Sequence, residues 1–346
     1  MSMFFEADSS DDGAGRPVAP RRGRPWLIFL LALAALVVVG SLVAAALYVV
    51  SIDRAVNQNL QRGTEQLPAE TPTAEGEEPR PPKADGNAVN YVLLGSDSRV
   101  KTNAGNGRSD VLMVMHLSGD RRSAYMISFP RDMYVPIPGR GMDKINAAFA
   151  FGGPPLTVRT VEGLVKTRMD HVALIDFEGF VNLTEQLGGV TIYNKYPSVS
   201  QGYKFPTGHI PVRGEEALAY VRERKQLPHG DLDRAERQRA VLQAILAKGL
   251  AKETLSNPLK FVSFVRGVSR YVTVDDQLTE SELRKTALSI RLKPGDIKSV
   301  QAPISSFGTS PTKQSIDIVD QKKLKELTKA LRTDQMDQYV AKYPPG

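Results

Sequence analysis

Two aspartates and an arginine stand at the ends of three predicted strands, where they could bind a metal ion beside an anion. Asp97 follows the first strand, Asp110 opens the second and Arg131 follows the third. If these strands are antiparallel neighbours, their register brings all three side chains to one end of the sheet. Paired carboxylates suit a hard cation such as Mg²⁺, which prefers oxygen ligands. The same spacing also permits a structural role, in which Asp97 caps a turn and Asp110 pairs with Arg108 or Arg131.

A second charged cluster lies at the start of a predicted long helix. Asp231 is a good helix-start residue, and a rotation of about 100° per residue places Arg234 and Gln238 on the apolar, inward stripe. An inward arginine needs an anionic partner, because burying an unpaired charge is costly. The cluster therefore predicts a phosphate site at the helix N-terminus, and a buried salt bridge from Arg234 to Asp231 or another carboxylate is the structural alternative. Glu236 and Arg239 project elsewhere and are predicted to lie on a solvated face.

Strands alternating with helices must position these residues. The strand-like apolar runs cover residues 91–94, 111–117, 124–129, 172–175, 190–193 and 297–301. The helical patterns cover residues 156–166, 177–187, 215–222, 233–252, 258–271, 281–290 and 322–331. The second run lacks polar alternation, which predicts a strand buried on both faces. We therefore predict an α/β fold with a central mixed β-sheet covered by helices on both faces, in which Leu117 pairs with Ala124.

The first 87 residues predict a tail, a membrane span and a stalk. Residues 1–25 are predicted to be a disordered tail. Residues 26–50 carry no charge and, at about 1.5 Å per residue, can cross a hydrocarbon core of about 30 Å. Four arginines precede this span, so the N-terminus is predicted to be cytoplasmic and the rest extracellular. Residues 51–87, rich in proline and acidic side chains, predict an extended, solvated stalk, and residues 88–346 an extracellular domain.

Composition narrows the chemistry that this domain can perform. The chain has 346 residues, of which 41% are hydrophobic and 24% charged, as in globular proteins. It has no cysteine, which excludes a disulfide framework, a Cys-based metal site and a catalytic thiol. It has four histidines. The net charge is +7, and because the stalk is acidic, residues 88–346 carry about +10. A basic domain near a bilayer predicts an anionic partner, such as a cell-wall polymer, a lipid headgroup or a lipid-linked phosphate. Nucleic acid is excluded by the predicted topology.

Eight short blocks match a known protein family in their order and spacing. They are YVLLGSDSR (91–99), GRSD (107–110), SFPRD (128–132), KINAAF (144–149), FEGF (177–180), LGGV (187–190), GEEALAYVRER (214–224) and GDLDRAERQR (230–239). On these blocks the chain resembles the LytR-CpsA-Psr family over residues 88–252, and less distinctly to about residue 332. The tail, the single span and the stalk also fit the usual layout of this family.

The resemblance implies a phosphotransferase of the bacterial cell wall. Such an enzyme takes an anionic glycopolymer from a polyprenyl-pyrophosphate carrier and attaches it to peptidoglycan through a phosphodiester, at the cytoplasmic membrane. It implies that Asp97 and Asp110 hold Mg²⁺ and that the lipid lies in an apolar groove between sheet and helices. The residues implied around the pyrophosphate are Arg99, Arg131, Arg222, Arg224, Arg234 and Gln238. Asp97 and Arg131 are the implied catalytic residues, with Asp97 a base only if the metal does not fully occupy it. The alternative is a membrane-anchored polyprenyl-phosphate-binding sensor or regulator of the cell envelope, without catalysis.

Overall fold

The computed structural model describes Tyr48 and residues 50–344, except positions 53, 57, 71–78 and 97–108, and it describes only the backbone of Asp110. By its internal contacts the chain divides into two units, Met1–Val49 and Val50–Gly346. Only the second unit is described below. Apart from Tyr48 and Val50, the predicted membrane span lies outside the described residues. Within the described part of the chain, no helix combines the length and the apolar composition that crossing a bilayer requires.

A seven-stranded mixed sheet forms the centre of the second unit. The strands, in chain order, are β1 (Gln61–Gly63), β2 (Val89–Ser96), β3 (Ser109–Leu117), β4 (Ala124–Ser128), β5 (Tyr134–Ile137), β6 (Gly141–Lys144), β7 (His171–Asp176), β8 (Val190–Asn194), β9 (Ser198–Ser200), β10 (Tyr203–Phe205), β11 (Gly208–Val212), β12 (Thr273–Asp275), β13 (Ile297–Gln301), β14 (Ile304–Thr309) and β15 (Ser315–Val319). The central sheet has the order β1-β12-β7-β2-β3-β4-β13. Its pairs β1–β12, β7–β2 and β4–β13 are parallel and the others antiparallel. All six predicted strands are present, although β8 pairs with β11 in a separate two-stranded sheet.

The predicted register of the three central strands is confirmed. Strands β2 and β3 are antiparallel and end together at the pair Ser96↔Ser109. Leu117 pairs with Ala124, and the same register continues to a hydrogen bond from the Phe129 backbone N–H to the Leu112 carbonyl oxygen (2.9 Å). The short polar turn between β3 and β4 sets this register. A slip of one residue is also disfavoured, because it would turn every side chain of the strand to the opposite face of the sheet.

Helices cover both faces of the sheet, as the alternation of elements predicted. The helices are α1 (Ala147–Val165), α2 (Phe177–Gln186), α3 (Gly214–Arg222), α4 (Asp231–Leu250), α5 (Lys252–Leu255), α6 (Pro258–Tyr271), α7 (Glu280–Ser289), α8 (Gln321–Arg332) and α9 (Met336–Lys342). On one face, side chains of β2 and β3 pack with α1, α8 and α9 in the largest apolar cluster. On the other face, α2, α3, α4 and α6 leave a cavity against the sheet. The helix predicted over residues 156–166 is the second part of α1, and the non-helical backbone angles of Gly152 and Gly153 separate it from a first part that the periodicity did not reveal.

Parts of the segment predicted as a solvated stalk pack against the domain instead. Strand β1 joins the edge of the central sheet, and Leu67 is buried in its core. The buried Arg80 side chain donates to both carboxylate oxygens of Glu162 (2.8 and 3.1 Å) and to the Met169 carbonyl oxygen (2.7 Å). Composition suggested a stalk because the segment has few apolar residues, but a buried ion pair and one strand pairing, together with Leu67, tie it to the domain.

Candidate active site

An elongated apolar cavity of about 460 Å³ lies between the sheet and the helices. Its sheet wall is formed by residues of β2, β3 and β7, and its opposite wall by residues of α2, α3, α4 and α6. The main apolar lining residues are Leu93, Met113, Met115, Phe177, Phe180, Leu218, Leu242, Ile245, Leu246, Phe264 and Val268. A cavity with this lining suits a long apolar chain, and it lies where the resemblance placed the lipid groove.

Arginines gather at the end of the cavity where β2 and β7 terminate. All the described residues predicted to surround a pyrophosphate line this cavity: Arg131, Arg222, Arg224, Arg234 and Gln238. Arg99, the sixth residue of the prediction, lies outside the described residues. The structure thus brings together residues from the β4 end, from α3 and its C-terminal flank, and from α4. Their roles toward a ligand stay predictions.

Asp231, the first residue of α4, is shared by three of these arginines. Its Oδ2 accepts a hydrogen bond from Arg131 Nε (3.0 Å), while its Oδ1 lies 3.4 Å from Arg224 Nη1 and 3.4 Å from Arg234 Nη2. Burial acts to raise the pKa of Asp231, but Arg234, Arg131 and Arg224 hold that pKa below its ordinary value. The salt bridge from Arg234 to Asp231, predicted as the structural alternative, is therefore present. One carboxylate cannot neutralise three guanidinium groups, so it does not remove the site's capacity for an anion.

The remaining polar groups of the cavity are fixed by local structure. The Arg222 guanidinium lies over the Phe177 ring, 4.8 Å from its centroid, and Gln238 Nε2 donates to the Val221 carbonyl oxygen (3.3 Å). Asp176 caps α2, where its Oδ1 accepts from the Gly179 backbone N–H (2.6 Å). Among the described residues, four arginines thus face the carboxylates of Asp176 and Asp231. The end of the cavity keeps a net positive charge.

Arg131 also borders a group of carboxylates that sequence reasoning missed. Its Nε lies 3.6 Å from Asp132 Oδ2, and Asp132 Oδ1 lies 2.8 Å from Lys144 Nζ. The Asp317 backbone N–H donates to the Asp132 carbonyl oxygen (2.8 Å). Burial and the nearby Asp132 and Asp231 carboxylates raise the pKa of Asp317 to about 6, although Lys144 acts to lower it. Nothing local in the sequence connects β15 to Arg131, so only the fold could bring these groups together.

Helix α4 carries two further buried arginines, and the prediction of a solvated face for Arg239 is wrong. The buried Arg239 guanidinium donates to Ser128 Oγ at the end of β4, and burial lowers the pKa of Arg239. Arg237, also buried, donates to Asn194 Oδ1 (3.0 Å) and lies over the Tyr220 ring, 4.3 Å from its centroid. The helical pattern assumed one buried stripe, but α4 is packed by the sheet on one side and by α3 and β8 on others.

The predicted metal ligands are the least described part of the site. Asp97 lies outside the described residues, and Asp110 is described by its backbone in β3. Ser96 pairs with Ser109 and Gly95 with Val111, so the backbone of Asp110 lies at an irregularity at the end of the pairing between β2 and β3, which are antiparallel as predicted. In the described residues, no cluster of three or more His, Asp or Glu side chains is arranged to hold a metal ion.

Comparison with known proteins places the chain in a family. Residues 49–333 match the model of the LytR_cpsA_psr family. The polyisoprenyl-teichoic acid–peptidoglycan teichoic acid transferase TagU of Bacillus mycoides is 39% identical over 170 residues, which make up 49% of this chain and 55% of that protein. The chain therefore matches only about half the length of this relative.

Two solved structures show the same fold. Bacillus subtilis TagV has a TM-score of 0.63 and 26% sequence identity, covering 73% of this chain and 98% of that one. TagT bound to LIIa-WTA has a TM-score of 0.57 and 29% identity, covering 76% of this chain and 95% of that one.

Proposed function

Because the chain belongs to the LytR_cpsA_psr family, we propose that it is a transferase that moves an anionic glycopolymer from a polyprenyl-pyrophosphate carrier onto peptidoglycan. The observation that carries this proposal is a single cavity with an apolar body and an arginine-lined end. The apolar body suits the polyprenyl chain and the arginines suit the pyrophosphate. The similar TagU protein is named as a teichoic acid transferase, which supports a glycopolymer such as a teichoic acid as the cargo.

The arginines would act on the charge of the pyrophosphate. Arg131, Arg224 and Arg234 share Asp231 at 3.0–3.4 Å, so an incoming phosphate would compete with one carboxylate for three guanidinium groups. A guanidinium fork can grip two phosphate oxygens at once, which fixes the orientation of the bond to be broken. Arg222 would add a fourth positive charge from its position over Phe177.

The reaction would exchange one phosphorus–oxygen bond for another. A peptidoglycan hydroxyl oxygen attacks the phosphorus that bears the glycan, and the bond to the bridging oxygen breaks. Polyprenyl phosphate then leaves with the electron pair of that bond, and the hydroxyl proton passes to a base or to water. The arginines stabilise the negative charge that grows on the departing phosphate, which is the main contribution a protein makes to phosphoryl transfer. Asp97 is the candidate base if the metal leaves one of its oxygens free.

Two aspartates at adjacent strand ends fit a hard divalent cation. The pair Ser96↔Ser109 joins the strand ends immediately before Asp97 and Asp110, and carboxylates are the donors that Mg²⁺ prefers. Asp97 and Asp110 would hold the ion, which when bound would offset charge on the pyrophosphate. Anchoring by residues 26–50, with the domain outside the cell, belongs to the same proposal and matches a substrate carried in the membrane.

A transfer assay tests the proposal directly. The full-length protein, in vesicles or mild detergent, is incubated with a synthetic polyprenyl-pyrophosphate glycan labelled in the sugar and with peptidoglycan, with and without Mg²⁺. We expect label to enter peptidoglycan and polyprenyl phosphate to be released, both only with the metal. Tight binding of the lipid without any turnover would favour a sensor or regulator instead. A parent protein that neither binds nor transfers would refute both functions.

A further inference from the structure

Three segments meet at the end of the domain opposite the arginine-lined end of the cavity. They are the β3–β4 turn, the α4–α6 corner, and α7 with the segment that follows it. The Arg291 backbone N–H donates to the Arg121 carbonyl oxygen (3.0 Å), which joins the third segment to the first. Leu292 packs against the same buried apolar cluster as Leu246 and Leu250 of α4, which joins the third segment to the second. We call this end of the domain the distal surface.

Large apolar side chains of the distal surface point into water. The exposed fraction is 82% for Leu259, 79% for Leu288, 47% for Leu255 and 36% for Ile290. Leu255 ends α5 and Leu259 lies in the first turn of α6, while Leu288 and Ile290 lie at the end of α7 and just beyond it. Exposed leucines grouped on one end of a domain indicate a surface that is covered in use.

Basic side chains surround these leucines. The exposed ones are Arg122, Lys252, Lys260, Arg284, Lys285, Arg291 and Lys293, against the exposed carboxylates Asp120, Glu253 and Glu282. The surface therefore combines protruding apolar groups with an excess of positive charge. This combination matches the boundary between acyl chains and anionic headgroups, because leucines can enter the apolar layer while lysines and arginines stay among the phosphates.

The cavity runs from the arginines toward this surface. Along α4 the polar residues Arg234 and Gln238 come first, followed by Leu242 and Leu246, and Leu250 ends the helix. At about 1.5 Å per residue, the path from Arg234 to Leu250 is about 24 Å long. An apolar chain whose phosphate lies at the arginines would therefore have its tail directed toward the distal surface.

We propose that the distal surface docks on a lipid bilayer containing anionic headgroups. The exposed leucines insert below the headgroups, and the surrounding lysines and arginines contact the lipid phosphates. The chain can reach the membrane, because the predicted span ends at residue 50 and β1 begins at Gln61, a connection of at most about 36 Å. Gln61 lies level with Leu94 of β2, through β12 and β7, so the connection must also run back about 17 Å along the sheet to reach the level of Val89, which its length allows. Docking orients the cavity with its arginines away from the bilayer.

Site-directed labelling of the full chain in vesicles tests this orientation. The chain has no cysteine, so Ser256→Cys and Ala287→Cys each introduce one thiol in the distal surface, and Ser315→Cys introduces one on β15, the strand that carries Asp317 beside the arginine-lined end. An environment-sensitive dye on each thiol is exposed to spin-labelled phospholipids. We expect quenching at positions 256 and 287 and little at 315, and stronger quenching with anionic than with zwitterionic vesicles.

Two sets of variants separate the apolar and charged contributions. Leu255→Ser with Leu259→Ser, in the Ala287→Cys background, should lower the ratio of docked to undocked protein at least about tenfold. Both leucines are exposed, so the fold should be unaffected, and an unchanged thermal melting curve checks this. Lys252→Gln with Lys260→Gln should lower the same ratio roughly fivefold or more for anionic vesicles, and added salt should weaken docking of the parent.

Other outcomes overturn the proposal. Equal quenching at all three positions, or none at 256 and 287, would show that this end of the domain does not face the bilayer. If the dyes at 256 and 287 are shielded from water without lipid quenching, the surface is covered by a second copy or another protein. Lipid quenching requires no turnover, so a failure of the proposed transfer reaction would leave this test intact.

Discussion

Replacing Asp317 with asparagine should stabilise the protein at neutral pH but not at acid pH. Asp317 is buried on β15, and burial together with the Asp132 and Asp231 carboxylates raises its pKa to about 6 from an ordinary 3.8. The folded state therefore binds this proton more tightly than the unfolded state does. The stability that the proton provides is complete below about pH 3.8 and is lost as pH rises through about 6.

The size of the effect follows from the same two values. Each pH unit between them is worth about 1.4 kcal/mol, so the ionised Asp317 costs at most about 3 kcal/mol of unfolding free energy at pH 7.5. Asparagine has nearly the same shape and no charge, so Asp317→Asn should recover about 1–3 kcal/mol at pH 7.5, about half of that at pH 5, and almost nothing at pH 3.5.

Urea unfolding of parent and variant in mild detergent, followed by near-ultraviolet circular dichroism at these three pH values, measures the difference. Acid destabilisation through Asp231 has the opposite sign, because its pKa is lowered, and only the part of it that does not depend on the Asp317 charge cancels on subtraction. Asp276→Asn, at an exposed position, is the matched control and should leave the difference near zero. A stability difference that does not change with pH, or a variant less stable than the parent at pH 7.5, would refute the electrostatic account.

Four further outcomes test the site and the organisation of the chain. Arg234→Lys keeps the charge but loses the guanidinium fork, so transfer should fall about a hundredfold with an unchanged melting curve. The exposed control Arg266→Lys should keep near-parent turnover. Equal transfer rates in the two variants would show that Arg234 is a purely structural residue. Asp97→Asn should abolish transfer while native mass spectrometry still detects bound polyprenyl phosphate, and parent-level transfer would contradict the metal assignment. Arg80→Met leaves the buried Glu162 carboxylate without its guanidinium partner and should cost about 3–5 kcal/mol in a denaturation curve, with recovery when Glu162→Leu is added. Protease added to intact protoplasts should release a fragment of about 30 kDa, and full protection would contradict an extracellular domain.

The sequence by itself determined the features that depend on near neighbours. Apolar runs located every strand that faces the cavity from the sheet, and one short polar turn set the Leu117↔Ala124 register. Helical periodicity placed Arg234 and Gln238 on the inward side of α4, and both line the cavity. These features follow from periods of 2 and 3.6 residues, which a single segment carries in its own pattern. The family membership expected from eight short blocks is confirmed by the match over residues 49–333. The membrane span, the metal and the role of each arginine stay predictions.

Only the tertiary structure decided which distant groups compensate one another. Asp231 was predicted as a helix-start residue, but it is also the carboxylate that Arg131 and Arg224 share from two other parts of the chain. Arg80 was assigned to a solvated stalk, yet it pairs with Glu162, 82 residues away. The cost of burying a charge depends on whether an opposite charge reaches it. That partner is supplied by whichever strands and helices the fold packs alongside, so no local pattern in the sequence reveals it.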